Sequence, residues 1–181
     1  MRDKIPPRST ADPRHTNPGP ANARVPLVID IPGVETLRLT HLVLDLNGTL
    51  ATDGDLIPGT AERVRALQGH LDCHLLTADT LGTAARVATE LGCRLEVVGA
   101  VGQDTAKTTY VAGLGRRQCV AIGNGANDAQ MLFHAALGIC VVGPEGAAST
   151  AAIASDVICS SINDALDLLL HPIRLAATLR R

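Results

Sequence analysis

Aromatic side chains are nearly missing from this sequence: Tyr110 and Phe133 are the only two, and there is no tryptophan. Stacking platforms for single-stranded nucleic acid are built from such rings, so that kind of partner is not expected. Lysine is scarce as well, with Lys4 and Lys107 alone among 16 basic residues. Neither sign of charge dominates: the formal net charge is −2, and no basic footprint for DNA or an anionic membrane stands out. No apolar run approaches the roughly 18 residues needed to span a bilayer. The opening Met1-Arg-Asp-Lys-Ile-Pro-Pro-Arg8 has no apolar stretch of the kind a secretory signal needs, so a cytoplasmic location is expected. Five cysteines (Cys73, Cys93, Cys119, Cys140, Cys159) are an odd number and form no Cys-x-x-Cys pair. They read as small buried hydrophobes in a reducing compartment.

What is present is an aliphatic chain. Hydrophobic residues make up 46% of 181, enough for one domain packed with Leu, Val, Ile and Ala. Residues 1–24 carry Pro6, Pro7, Pro13, Pro18 and Pro20 among polar residues and read as a disordered tail, leaving 25–181 as the folded domain. Leu27–Ile31 and Thr36–Leu39 flank Pro32-Gly33 as a hairpin. Strands are expected at His41–Leu46, Cys73–Leu76, Leu95–Val98, Cys119–Ile122, Ile139–Val142 and Val157–Cys159. Helices are expected at Thr60–Leu67, from an Asp79 or Thr80 cap to Leu91, and at Asp104–Leu114, Asn127–Ala136, Ala147–Ala154 and Ile162–Leu170. Ala51–Ile57, around Asp53-Gly54, reads as a small hairpin flap. This alternation predicts an α/β fold: a Rossmann-like parallel sheet with helices on both faces.

Open parallel sheets gather the residues just after each strand along one edge. Here those residues are Asp45-Leu-Asn47-Gly-Thr49, Thr77-Ala78-Asp79 and Gly123-Asn124-Gly-Ala-Asn127-Asp128. Asp45 at a strand end is a nucleophile, a metal ligand or both. Carboxylates, hydroxyls and carboxamides brought together in this way suit phosphoryl transfer through an aspartyl phosphate, with Mg²⁺ held by hard oxygens. Lys107 adds the compact point charge that sits well beside a phosphate or a buried carboxylate, where arginine presents a wide fork. The other reading of Lys107 is an ordinary residue on a solvated helix face.

Asp45-Leu-Asn-Gly-Thr-Leu50 resembles the first motif of the haloacid dehalogenase superfamily. The details are closest to the phosphorylation domain of P-type ATPases. Leu75-Leu-Thr-Ala-Asp79, Ala121-Ile-Gly-Asn-Gly-Ala-Asn-Asp-Ala129, Gly143-Pro-Glu-Gly146 and Ala154-Ser-Asp-Val-Ile158 resemble the later motifs of that domain, and Lys107 matches the lysine of its third motif. The resemblance runs from about Pro26 to Ile162. Only about thirty residues separate Asp45 from Thr77, so the nucleotide-binding domain of the pumps has no counterpart, and neither do their membrane helices. The chain looks like a soluble, capless phosphatase whose open site suits a phosphorylated small molecule or macromolecule, or is covered by another copy in a homo-oligomer.

By that resemblance Asp45 is the nucleophile and a metal ligand, with Asn47, Asn124 and Asp128 completing the Mg²⁺ site. Thr77, Ala78 and Lys107 hold the phosphoryl group. Asp79 orients that loop or caps the next helix, Asp53 and Asp55 read as turn residues, and the histidines show no ligand spacing. Two positions depart from the family pattern. Asn47 replaces the usual acid–base aspartate, help typically worth about 10²–10⁴-fold, so slow turnover is expected. Asn124 replaces a metal-binding aspartate. The competing reading is a catalytically weak phosphate- or metal-sensing protein on the same scaffold.

Overall fold

The computed structural model describes residues 24–79, 81–99 and 101–181. The expected tail, Arg24 apart, and Thr80 as a helix cap lie outside them. Arg24 pairs with Asp72.

A hairpin of β1 (Leu27–Ile29) and β2 (Leu37–Leu39) comes first and forms a sheet of its own. Its Leu and Ile residues alternate inward, as a half-buried strand requires. Six parallel strands form the main sheet: β3 (His41–Leu44), β6 (Asp72–Thr77), β7 (Arg94–Val97), β8 (Cys119–Gly123), β9 (Leu137–Val141) and β10 (Val157–Cys159). The spatial order β10-β9-β8-β3-β6-β7 puts the first of them in the middle. The chain runs outward from β3 to β7, then crosses back to β8 on the other side. The gap between β3 and β8 is thus the switch point where such sheets place ligands.

The two faces of this sheet are packed differently. Leu42, Leu44, Leu75, Val120, Ile122 and Ile139 face a large aliphatic core under α1 (Thr60–Leu67), α2 (Ala84–Leu91) and α6 (Ile162–Leu170). Val43, Leu76, Cys119, Ala121 and Cys140 face a smaller core under α3 (Gln103–Leu114), α4 (Ala129–His134) and α5 (Ser149–Ala154). Smaller side chains on that face let helix and sheet approach closely. A Cβ on Gly138 of β9 would come within 2.4 Å of the Leu132 carbonyl oxygen in α4.

Several boundaries differ from those read in the sequence. β3 stops at Leu44, because Leu46 accepts hydrogen bonds from the N–H groups of Thr49, Leu50 and Ala51 and so turns the chain early. The helix expected from Asp79 begins only at Ala84, since the intervening loop carries Asp79 in a left-handed conformation (φ 50°). Asn127 and Asp128 belong to a short 3₁₀ turn, Ala126–Asp128, ahead of α4. Ala136 has already left that helix to donate to the Arg116 and Cys119 carbonyls. The flap forms as β4 (Ala51–Thr52) and β5 (Asp55–Leu56), and Arg86 of α2 steadies it through the Gly54 carbonyl at 2.8 Å. A last helix, α7 (Pro172–Leu179), packs on β1 and was not expected. Proline at its first position is a good helix opener, a signal that was there to be read. No helix among the described residues is long and apolar enough to cross a membrane.

Candidate active site

The site is built where β3 and β8 end. The Asp45 N–H still donates to Ile122 of β8 at 3.0 Å, which fixes its backbone to the sheet just before the chain turns. Gly48 then takes a left-handed φ of 75°. A Cβ on it would lie 2.4 Å from Asn124 Nδ2, so the turn needs glycine for space as well as for conformation. At the end of β8, Gly123 leaves its Cβ space to the carboxylate of Asp128, which would lie 2.6 Å away.

Lys107 joins the two loops. Its Nζ lies 2.6 Å from Asp45 Oδ1 and 2.6 Å from Asp128 Oδ1, and its side chain is wholly buried. This rules out a solvated helix face. A buried ammonium is costly unless paired and hydrogen-bonded, and here both needs are met. Burial pulls its pKa down, but the two carboxylates outweigh that and hold it above the usual lysine value. One ammonium cannot balance two buried acids. Burial first, and then repulsion from Asp128, push the Asp45 carboxyl up to about 7 despite Lys107.

Asp128 has both oxygens engaged. Oδ1 takes Lys107, while Oδ2 accepts from the N–H groups of Asn124 at 3.0 Å and Gly125 at 2.8 Å. It anchors the loop and the ammonium, which leaves it little capacity as a direct metal ligand. Thr49, named in the sequence among the strand-end residues but given no role of its own, donates to Asn124 Oδ1 at 3.1 Å and lies 3.4 Å from Asp45 Oδ2. The signal for it was its position, one tight turn beyond Asp45. On the neighbouring strand Thr77 ends β6 and is buried; its Oγ1 accepts from the Asp79 N–H at 3.1 Å. Strand register sets Thr77 two residues beyond the partner of Leu44, so it flanks Asp45, with Ala78 next in the loop. Asp79 Oδ1 in turn accepts from the Ala84 N–H at 2.9 Å, so it both shapes this loop and caps α2. Asn47 sits in the turn, bridged to Ala51.

The donors at this edge are hard oxygens: the Asp45 carboxylate, the Asn124 amide oxygen and the Asn47 carbonyl. Mg²⁺ keeps several waters and takes one or two carboxylates, so the set suits it in kind. The set is poor in charge, and no three His, Cys, Asp or Glu side chains among the described residues form a metal-holding group. A recess of about 520 Å³ between Gln103, Asp104, Ala126 and Asn127 opens beside the site. Asp53 (φ 53°) is a turn residue of the flap, as expected, whereas Asp55 belongs to β5 and pairs with Thr52.

Comparison with solved structures places this architecture. A 3-deoxy-D-manno-octulosonate 8-phosphate phosphatase from Moraxella catarrhalis, in complex with magnesium, phosphate and the sugar acid, matches with a TM-score of 0.60 at 22% identity, over 78% of this chain and 94% of that one. A cobalt-bound deoxy-D-mannose-octulosonate 8-phosphate phosphatase from Haemophilus influenzae matches with a TM-score of 0.63 at 16% identity, over 79% and 94%. A Legionella pneumophila protein described as haloacid dehalogenase subfamily III A matches with a TM-score of 0.60 at 16% identity, over 78% and 87%. The chain has the fold of the haloacid dehalogenase superfamily. No protein-family model matches it.

The sequence relatives are narrower. The uncharacterized protein MJ0073 of Methanocaldococcus jannaschii is 55% identical over 64 residues, 35% of this chain and 69% of that protein, and the chain belongs to its family. MJ0072 of the same organism is 46% identical over 39 residues, 22% of this chain and 89% of that protein.

Proposed function

We propose that this protein is a divalent-metal-dependent phosphatase in which the Asp45 carboxylate accepts the phosphoryl group. The observation that carries this reading is the buried Lys107 held between Asp45 and Asp128 at 2.6 Å each. A fixed positive charge beside a strand-end carboxylate is the preorganised electrostatics that phosphoryl transfer needs. An Asp45 oxygen attacks phosphorus and the ester oxygen departs with its electron pair. Water then cleaves the acyl phosphate, releasing phosphate and restoring the carboxylate. Lys107 offsets charge on the transferring group, and Thr77 with the Ala78 backbone orients it. Asp45, the Asn124 amide oxygen and the Asn47 carbonyl would hold a divalent cation, Mg²⁺ by the donor set, which would supply positive charge against the phosphate oxygens. Kinship with the phosphorylation domain of P-type ATPases belongs to the same proposal, supported by the order of the motifs.

Asn47 cannot protonate a leaving group near neutral pH, so stable leaving anions such as nitrophenolate and acyl phosphates are the better substrates. The test is p-nitrophenyl phosphate hydrolysis with and without Mg²⁺. Wild type turns over only with the metal and Asp45→Asn is inactive; equal rates in both proteins would defeat the proposal. Asn47→Asp supplies the missing acid and raises turnover of alkyl phosphates by about 10²-fold or more. The amides at 47 and 124 also favour a second reading, a phosphate- or metal-sensing protein. It gains if Asn47→Asp brings no rate while wild type binds phosphate.

A further inference from the structure

Asn124 stands where a carboxylate would hold a cation better, and both oxygens of Asp128 already accept hydrogen bonds, from Lys107 and two N–H groups. Two carboxylates and one ammonium leave a single net negative charge for a doubly charged ion. The fold brings one more carboxylate to this edge. Glu145 lies in the turn Gly143-Pro144-Glu145-Gly146 between β9 and α5. Its Oε2 lies 3.0 Å from the point where a Cβ on Gly48 would be, and Asn124 Nδ2 lies 2.4 Å from that same point. Carboxylate and amide therefore share one side of the turn that follows Asp45.

The turn carrying Glu145 is clamped there by Asn124 itself. Asn124 Nδ2 donates to the Gly146 carbonyl at 3.1 Å, and the Asn124 carbonyl accepts from the Ala148 N–H at 2.9 Å. Gly143 approaches closely enough that a Cβ on it would lie 3.2 Å from the Gly48 carbonyl oxygen. An aspartate at 124 has no donor for Gly146. The amide thus loses a charge and gains a grip on the loop that presents another. Glu145 is exposed to solvent and forms no ion pair among the described residues.

Resting on the function proposed above, we infer that Glu145 supplies the charge missing at Asn124. It acts from one shell out, accepting from water around a divalent cation seated at Asp45, and is a positioning residue rather than a catalytic one. Removing one such charge costs about tenfold in cation affinity when the partners are separated by a water layer.

The test is calorimetric titration of Mg²⁺ into the full-length, chelator-stripped protein without substrate. Glu145→Gln weakens Mg²⁺ binding about tenfold, Glu145→Asp stays within a few-fold of wild type, and both keep the wild-type Tm in EDTA. Unaltered Mg²⁺ affinity in Glu145→Gln overturns the inference, and so does a Tm loss in EDTA that accounts for the weaker binding. Asp45→Asn separates the two levels. If it abolishes binding while Glu145→Gln does not, only the role of Glu145 fails. If wild type binds no Mg²⁺ at all, the proposed function fails with it.

Discussion

Two polar clusters lie buried in the same layer, between α3 and the sheet, and they are opposites. At the carboxyl edge Lys107 meets Asp45 and Asp128; toward the start of β3, Tyr110 meets His74 at 3.0 Å, and His74 meets His41 at 3.2 Å. Lys107 and Tyr110 are three residues apart on α3 and so reach toward the same layer. The histidine cluster is neutral: burial lowers the His74 pKa to about 4, and its ring nitrogens both have partners. The lysine cluster sets two acids against one ammonium; burial first, and then repulsion from Asp128, push Asp45 up to about 7. A satisfied neutral network holds a fold together. A buried charge imbalance at a strand edge is costly to keep, and such sites are where function concentrates.

The sharpest way to break this contrast is Lys107→Met. Two buried carboxylates then face each other without a cation, which costs about 3–5 kcal/mol of stability. Phosphatase turnover is lost with it. Urea denaturation in EDTA reads the first and p-nitrophenyl phosphate hydrolysis the second. The double variant Lys107→Met/Asp45→Asn regains part of the stability and none of the activity. A Lys107→Met protein as stable as wild type would mean that the ammonium does not offset a buried charge imbalance between Asp45 and Asp128.

The clusters also respond to pH with opposite sign. The folded Asp45 carboxyl keeps its proton up to about 7, whereas an unfolded one loses it near 3.8. Asp45 therefore makes stability fall as pH rises through that window. His74 stays neutral down to about 4 when folded and protonates near 6.5 when unfolded. It makes stability fall as pH drops from 6.5 to 4. In EDTA the two slopes offset in wild type. Asp45→Asn exposes the His74 slope, with stability rising to about pH 6.5 and then levelling, and His74→Phe exposes the Asp45 slope. Denaturation series from pH 4 to 8 distinguish them; identical profiles in the two variants would overturn the assignment.

Much of the charged cluster was legible in the sequence. A carboxylate closing an apolar run marks a strand end, and a lysine kept in an arginine-using chain marks a need for a compact charge. The order of the parallel elements followed from the alternation of apolar runs with Gly-ended helical segments. What escaped depended on contacts between distant segments. Glu145 gains meaning only because Asn124 grips Gly146, and Thr49 only because the turn folds it back between Asp45 and Asn124. The late start of α2 was hidden because the loop around Asp79 is shaped by Thr77 Oγ1 and the Ala84 N–H rather than by local helix preference. The histidines show no ligand spacing in the sequence, and their link to Tyr110 needed the register that sets Val43 opposite His74.

The smallest expected effect tests whether the neutral cluster is only structural. His74→Phe leaves the half-buried Tyr110 hydroxyl and the inner nitrogen of His41 without their partner, at a cost of about 1–3 kcal/mol. Tyr110→Phe alone costs less, because it removes a hydroxyl rather than orphaning two groups. The double variant His74→Phe/Tyr110→Phe removes both ends of one bond and lies closer to wild type than the sum of the single changes, since replacing both partners by apolar groups of similar shape is nearly neutral. None of the three alters kcat for p-nitrophenyl phosphate, because the cluster touches neither Asp45 nor Lys107. Strict additivity would show that the two side chains do not act as a pair. A fall in kcat at full folding would show that the two clusters, three residues apart on one helix, are coupled after all.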